Sequence, residues 1–202
     1  MRIFQRTVVA LATVALTALP ASAQVVTYST NGTLTGTGCV GNTCTVGAFF
    51  LTFLNAPLTS YVSPTLVDLG QFQTQFTGAV DATGTATFGG VNFNLMINQT
   101  GPSGGSASIF GPIAGTLSYN PSGSSLIFTP NVASVTIGLV TYRLVTDQTG
   151  NIGIQAPTTN GGNPNPTSVK ANVNVTPEPN TVVLMASGLF GLVPMVRRRR
   201  RA

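Results

Sequence analysis

The sequence predicts an all-β domain with an antiparallel β-sandwich-like fold, set between an N-terminal signal helix and a C-terminal transmembrane helix. Three observations carry this. Apolar residues recur at a period of two from Gln24 to about Ala156, the signature of strands with one buried and one solvated face. Clusters of Gly, Pro, Asn and Ser interrupt the alternation at the spacing of strand connections. Only the two ends carry short uninterrupted apolar runs that read as helices.

The N-terminal element spans residues 1–23. Arg2 and Arg6 supply a charged start, and Thr7 to Leu19 form an apolar stretch too short to cross a bilayer comfortably. Pro20 then breaks the helix before the small residues Ala21-Ser22-Ala23. This is the three-part layout of a removable secretory signal. Cleavage by signal peptidase is expected after Ala23, with Ala21 and Ala23 in the small-residue positions and Gln24 as the first mature residue.

The β-rich region spans residues 24–156. Phe72, Thr74 and Phe76 alternate with Gln71, Gln73 and Gln75, while Val91, Phe93, Leu95 and Ile97 alternate with Asn92, Asn94, Met96 and Asn98. Between Val135-x-Ile137-x-Leu139 and Val140-x-Tyr142-x-Leu144 the phase slips by one, which predicts a bulge or a strand changing sheets. Turn signals stand at Asn31-Gly32, Gly89-Gly90, Gly101 to Gly105, Asn120 to Gly123 and Thr149 to Asn151. Together they predict roughly eight to eleven strands in one sandwich.

Within this region lies the only cysteine pair, Cys39 and Cys44, spaced C-x4-C around Gly41-Asn42. A two-residue turn at Gly41-Asn42 would pair Val40 with Thr43 and Cys39 with Cys44, close enough for a disulfide. A redox or metal-binding pair is the alternative, but it lacks the C-x-x-C spacing and any second soft ligand. An oxidising destination favours the disulfide.

Candidate chemistry in the body is sparse. The chain has no histidine, which removes the usual general base and the common zinc sites. Asp68, Asp81 and Asp147 are the carboxylates of the β-rich region, and two of them could in principle form a glycosidase pair. Asp81 precedes Ala-Thr-Gly and Asp147 precedes Gln-Thr-Gly, contexts in which aspartate caps turns. No catalytic, cofactor-binding or metal-ligating residue is assigned, and the domain is read as non-enzymatic. Tyr28, Tyr61, Tyr119 and Tyr142 are candidate sugar-stacking residues in a chain without tryptophan.

The formal net charge of +5 points to nucleic acid only until the charges are located. Seven of the nine basic residues are Arg2, Arg6 and Arg197 to Arg201, leaving Arg143 and Lys170 against Asp68, Asp81, Asp147 and Glu178. The body lacks the basic stripe that phosphate neutralisation requires, so nucleic acid is excluded as a partner.

Residues 157–175, with Pro157, Pro164 and Pro166 among Asn, Gly and Thr, read as a flexible linker. Residues 176–202 repeat the targeting logic in reverse. Pro177-Glu178-Pro179 resists helix and sheet pairing, and Thr181 to Val196 is uncharged and mostly apolar. Arg197, Arg198, Arg199, Arg200 and Arg201 follow at once and would stay cytoplasmic by the positive-inside rule. At ~1.5 Å per residue the apolar run reaches only ~24 Å, so tilt-free spanning relies on arginine snorkelling or local thinning.

Pro-Glu-Pro, a short apolar helix and an arginine cluster, in that order, resemble the PEP-CTERM sorting signal over about the last 27 residues. The resemblance implies processing by exosortase, a membrane cysteine protease, near Pro177-Glu178-Pro179, with transient residence in the inner membrane. It also implies a host that makes exopolysaccharide or biofilm matrix. The functional expectation is an exported surface or matrix protein with a non-catalytic β-domain. The alternative is a carbohydrate-binding module acting on a matrix polysaccharide.

Overall fold

The computed structural model describes residues 24–79, 82–158 and 163–176. Among them the chain forms only strands and their connections. These are β1 (Val25–Thr35), β2 (Cys39–Val40), β3 (Thr43–Val46), β4 (Phe49–Asn55), β5 (Thr59–Val62), β6 (Thr65–Phe76) and β7 (Gly84–Gly101). There follow β8 (Gly105–Tyr119), β9 (Gly123–Ser124), β10 (Ile127–Phe128), β11 (Ser134–Ile137), β12 (Val140–Leu144), β13 (Ile152–Gly153) and β14 (Asn165–Val175). The two terminal helices of the sequence reading lie outside the described residues, and no helix among the described residues is long and apolar enough to cross a membrane.

The strands form two seven-stranded antiparallel sheets. Sheet A runs β13-β10-β8-β7-β1-β5, with β9 paired to β8, and sheet B runs β11-β12-β14-β6-β4-β3-β2. The alternating residues supply a shared core. Phe53 and Phe72 of sheet B meet Phe93 of sheet A with ring centroids 4.6 and 4.7 Å apart, and Phe128 closes on Phe93 at 5.2 Å. Phe76 stacks on Tyr119 at 4.3 Å, and Tyr28 meets Tyr142 edge-on at 5.7 Å. Aromatic pairs of this kind add about 0.5–1.5 kcal/mol each beyond their area burial.

Several details depart from the sequence reading. Residues 165–175 are not linker: β14 lies between β6 and β12, with Val169, Ala171 and Val173 buried. The alternation Val169, Ala171, Val173, Val175 was present in the sequence, but the neighbouring prolines and Asn/Gly composition masked it. Pro166 is tolerated because the β12 ladder covers only Ala171–Val175, so the missing N–H falls where β14 has one ladder partner.

Asn31-Gly32 is not a turn but the middle of β1. A Cβ on Gly32 would collide with the Phe53 ring and stand 2.9 Å from Phe93 Cε2, so glycine is required for packing. Gly89-Gly90 is a bulge inside β7, where Phe88 opposes Gly115 and Val91 opposes Ile113. The extra residue lets Phe88 and Val91 both face inward. The phase slip at Leu139-Val140 is neither a bulge nor a sheet change. It is a two-residue hairpin turn, with Ile137 opposite Val140 and Gly138 at φ +59°, the positive φ that such turns demand. The other three turn clusters do connect strands.

Candidate functional site

The sorting residues Pro177, Glu178, Pro179 and Arg197 to Arg201, and the signal residues Ala21 and Ala23, lie outside the described residues. The described chain begins at Gln24, next to Ala23, and ends at Thr176, next to Pro177. Gln24 contributes its carbonyl to the Ser63 N–H at 2.9 Å. At the other end, the buried Ser63 hydroxyl donates to the Val173 carbonyl at 3.3 Å and accepts the Val175 N–H at 3.1 Å. Ser63 therefore ties together the first described residue and the last turn of ladder before Thr176. The described chain is strand from Asn165 to Val175, with Thr176 as the last described residue before Pro177.

Cys39 and Cys44 are cross-strand partners and form a disulfide, with Val40 opposite Thr43 as the Gly41-Asn42 turn predicts. Their Cα atoms are 3.9 Å apart. Cys44 is fully buried against the core. The pair is a structural staple and holds no free thiol for redox or metal chemistry.

Asp68 and Asp147 are both exposed, and each accepts backbone N–H groups of its own neighbourhood. Asp147 is exposed, and one carboxylate oxygen accepts the N–H groups of Thr149 and Asn151, both at 2.8 Å, and the Thr149 hydroxyl at 2.7 Å. These hydrogen bonds, led by that from Asn151, hold its carboxyl below the usual aspartate range. Asp68 accepts the Gly70 N–H at 3.1 Å and lies opposite Lys170 in the β6–β14 ladder. Asp81 lies outside the described residues.

Of the candidate stacking residues, Tyr28, Tyr119 and Tyr142 are buried. The Tyr28 hydroxyl donates to the Asp68 carbonyl at 2.8 Å, and that of Tyr142 to Gln99 Oε1 at 2.9 Å. Burial pushes both phenols well above their ordinary range, with Tyr61, Tyr142 and Asp68 adding to the effect on Tyr28. These three are core residues and offer no face to a sugar. Tyr61 is half-buried and lines an open groove of about 390 Å³ with Leu54, Asp68 and Gln71. Part of the groove's polar lining is already committed: Asn55 Oδ1 accepts the Gly32 N–H at 2.7 Å, as Asp68 Oδ1 accepts that of Gly70.

A different surface was not legible as a site in the sequence. All four charged side chains described, Asp68, Arg143, Asp147 and Lys170, belong to sheet B or to the loop after β12. The outer face of sheet A carries Ser, Thr and Asn instead, and in its midst Phe110 is 56 % exposed. The available signal was Ile109-Phe110 in β8. Two adjacent apolar residues in an alternating strand put one side chain outside.

Comparison with known proteins agrees with the tail. Residues 175–201 match the family model described as the PEP-CTERM protein-sorting motif. No curated protein matches the chain, and no solved structure matches it.

Proposed function

We propose that this chain is exported across the inner membrane, held there by its sorting tail, and cut by an exosortase near Pro177-Glu178-Pro179. The β-domain is then delivered to the cell surface or extracellular matrix as a non-catalytic component of a biofilm or exopolysaccharide layer. The observation that carries the reading is the sorting-motif match at residues 175–201, which begins on the last residue of β14. Among the described residues the core residues run from Val26 to Val173, ahead of Pro177 in the sequence. Two terminal signals of matching topology support export, and the engaged carboxylates support a domain without acid–base chemistry.

Intact mass and terminal sequencing of the protein from its host test this. The expected species begins at Gln24 and lacks Arg197 to Arg201, and a strain without exosortase accumulates the tailed form in the inner membrane. A mature surface species still carrying the arginines would refute processing.

The second reading, a carbohydrate-binding module, is favoured by one observation: the charge-free outer face of sheet A with its exposed aromatic ring.

A further inference from the structure

We infer that the outer face of sheet A, centred on Phe110 and Asn94, binds an uncharged polysaccharide; this rests on the second reading above and assigns it a surface. The register builds the site. Thr33 of β1 opposes Asn94 of β7, which opposes Phe110 of β8. One step along, Asn31 opposes Met96, which opposes Ser108; in the other direction Thr35 opposes Asn92, which opposes Pro112. Rows of side chains therefore repeat about 4.8 Å apart across the strands and about 6.8 Å apart along them.

The face has two chemistries side by side. Along β8 and into β10 run the exposed side chains of Phe110, Pro112, Ala114 and Ile127, an apolar strip. Beside it stand the amides of Asn92, Asn94 and Asn98 and the hydroxyl of Thr33, whose side chains have no hydrogen-bond partner among the described residues. A pyranose presents the same two chemistries, C–H faces that pack on an aromatic ring and equatorial hydroxyls that both donate and accept. An asparagine amide answers such hydroxyls with two donors and an acceptor.

Charge selects the occupant. The strands of sheet A have no Asp, Glu, Lys or Arg, so the face offers no counter-charge to an acidic sugar, whereas a neutral one needs none. The groove beside Tyr61 is the weaker candidate, because Asp68 lines it and part of its polar lining is spent on the fold.

The test uses the chain as its host exports it. Neutral and anionic fractions of the host's extracellular polysaccharide are separated by anion exchange and immobilised. Retention is expected on the neutral fraction, weakened about tenfold by Phe110→Ala, in line with the loss of one aromatic contact. Phe110 is exposed, so the variant should keep the wild-type melting temperature, and Asn94→Asp, which replaces the two N–H donors of the amide with a charged acceptor, should weaken retention as well. Tyr61→Ala should not. Equal or stronger retention on the anionic fraction, indifference to Phe110→Ala, or self-association abolished by that variant would each overturn the assignment. Failure to bind by a chain that is exported and trimmed sinks this inference alone; an untrimmed chain sinks the processing reading whatever it binds.

Discussion

Ser63→Ala perturbs the point where the fold meets the sorting segment. The hydroxyl is buried and makes two hydrogen bonds, to the Val173 carbonyl and from the Val175 N–H. The methyl group of alanine retains the Cβ but neither bond. A neutral hydrogen bond contributes about 1 kcal/mol net, and a donor left unpaired in a dry site costs about 1–3 kcal/mol. Val175 is only half-buried, so water can reach its N–H and the lower end applies. The expected loss is therefore about 1–2 kcal/mol, or roughly 3–6 °C in melting temperature for a domain of this size. Thermal unfolding followed by circular dichroism measures the first quantity. Hydrogen exchange at the Val175 amide measures the second, since local opening at the end of β14 should rise at least tenfold while the β7–β8 ladder is unchanged. A melting temperature within about 1 °C of wild type, together with unaltered exchange at Val175, would show that Ser63 is not the latch its geometry describes.

Reducing the Cys39–Cys44 disulfide should cost about 2 kcal/mol by the loop-entropy argument, seen as a lower urea midpoint in the presence of reductant. Gly32→Ala should destabilise by about 1–3 kcal/mol, because the new methyl group meets the Phe53 ring at the centre of the core; equilibrium denaturation checks it. Alkaline pH should destabilise the domain. The folded state keeps Tyr28 and Tyr142 neutral, with phenol pKa values raised by burial, so their contribution is intact below the unfolded value of about 10 and is lost as pH rises beyond it. Urea midpoints measured from pH 8 to 12 should fall above about pH 10, and less steeply in Tyr142→Phe.

The strands that alternate cleanly were readable because burial on one face leaves a period-two trace that depends on no distant residue. Phe72-x-Thr74-x-Phe76 and Val91-x-Phe93-x-Leu95-x-Ile97 point inward as their spacing requires. The Cys39–Cys44 hairpin was equally local, set by one two-residue turn. The sorting tail was legible for a different reason: its signals are linear, made of charge, apolar length and proline.

Where glycine or proline was involved, sequence alone misled, because those residues mark several environments. Gly32 serves a close approach between sheets rather than a turn, and only the position of Phe53 across the core decides that. Pro166 fits near the start of a strand because β12 stops short of it, a fact of sheet order. The same applies to the surface. Composition established that the body is nearly uncharged, but only the assignment of β6, β12 and β14 to one sheet leaves the opposite face with no ionic side chain and Phe110 standing on it. Local pattern fixes which way a side chain points along its own strand; what stands beside it, and therefore what it can bind, depends on long-range pairing that no short stretch of chain encodes.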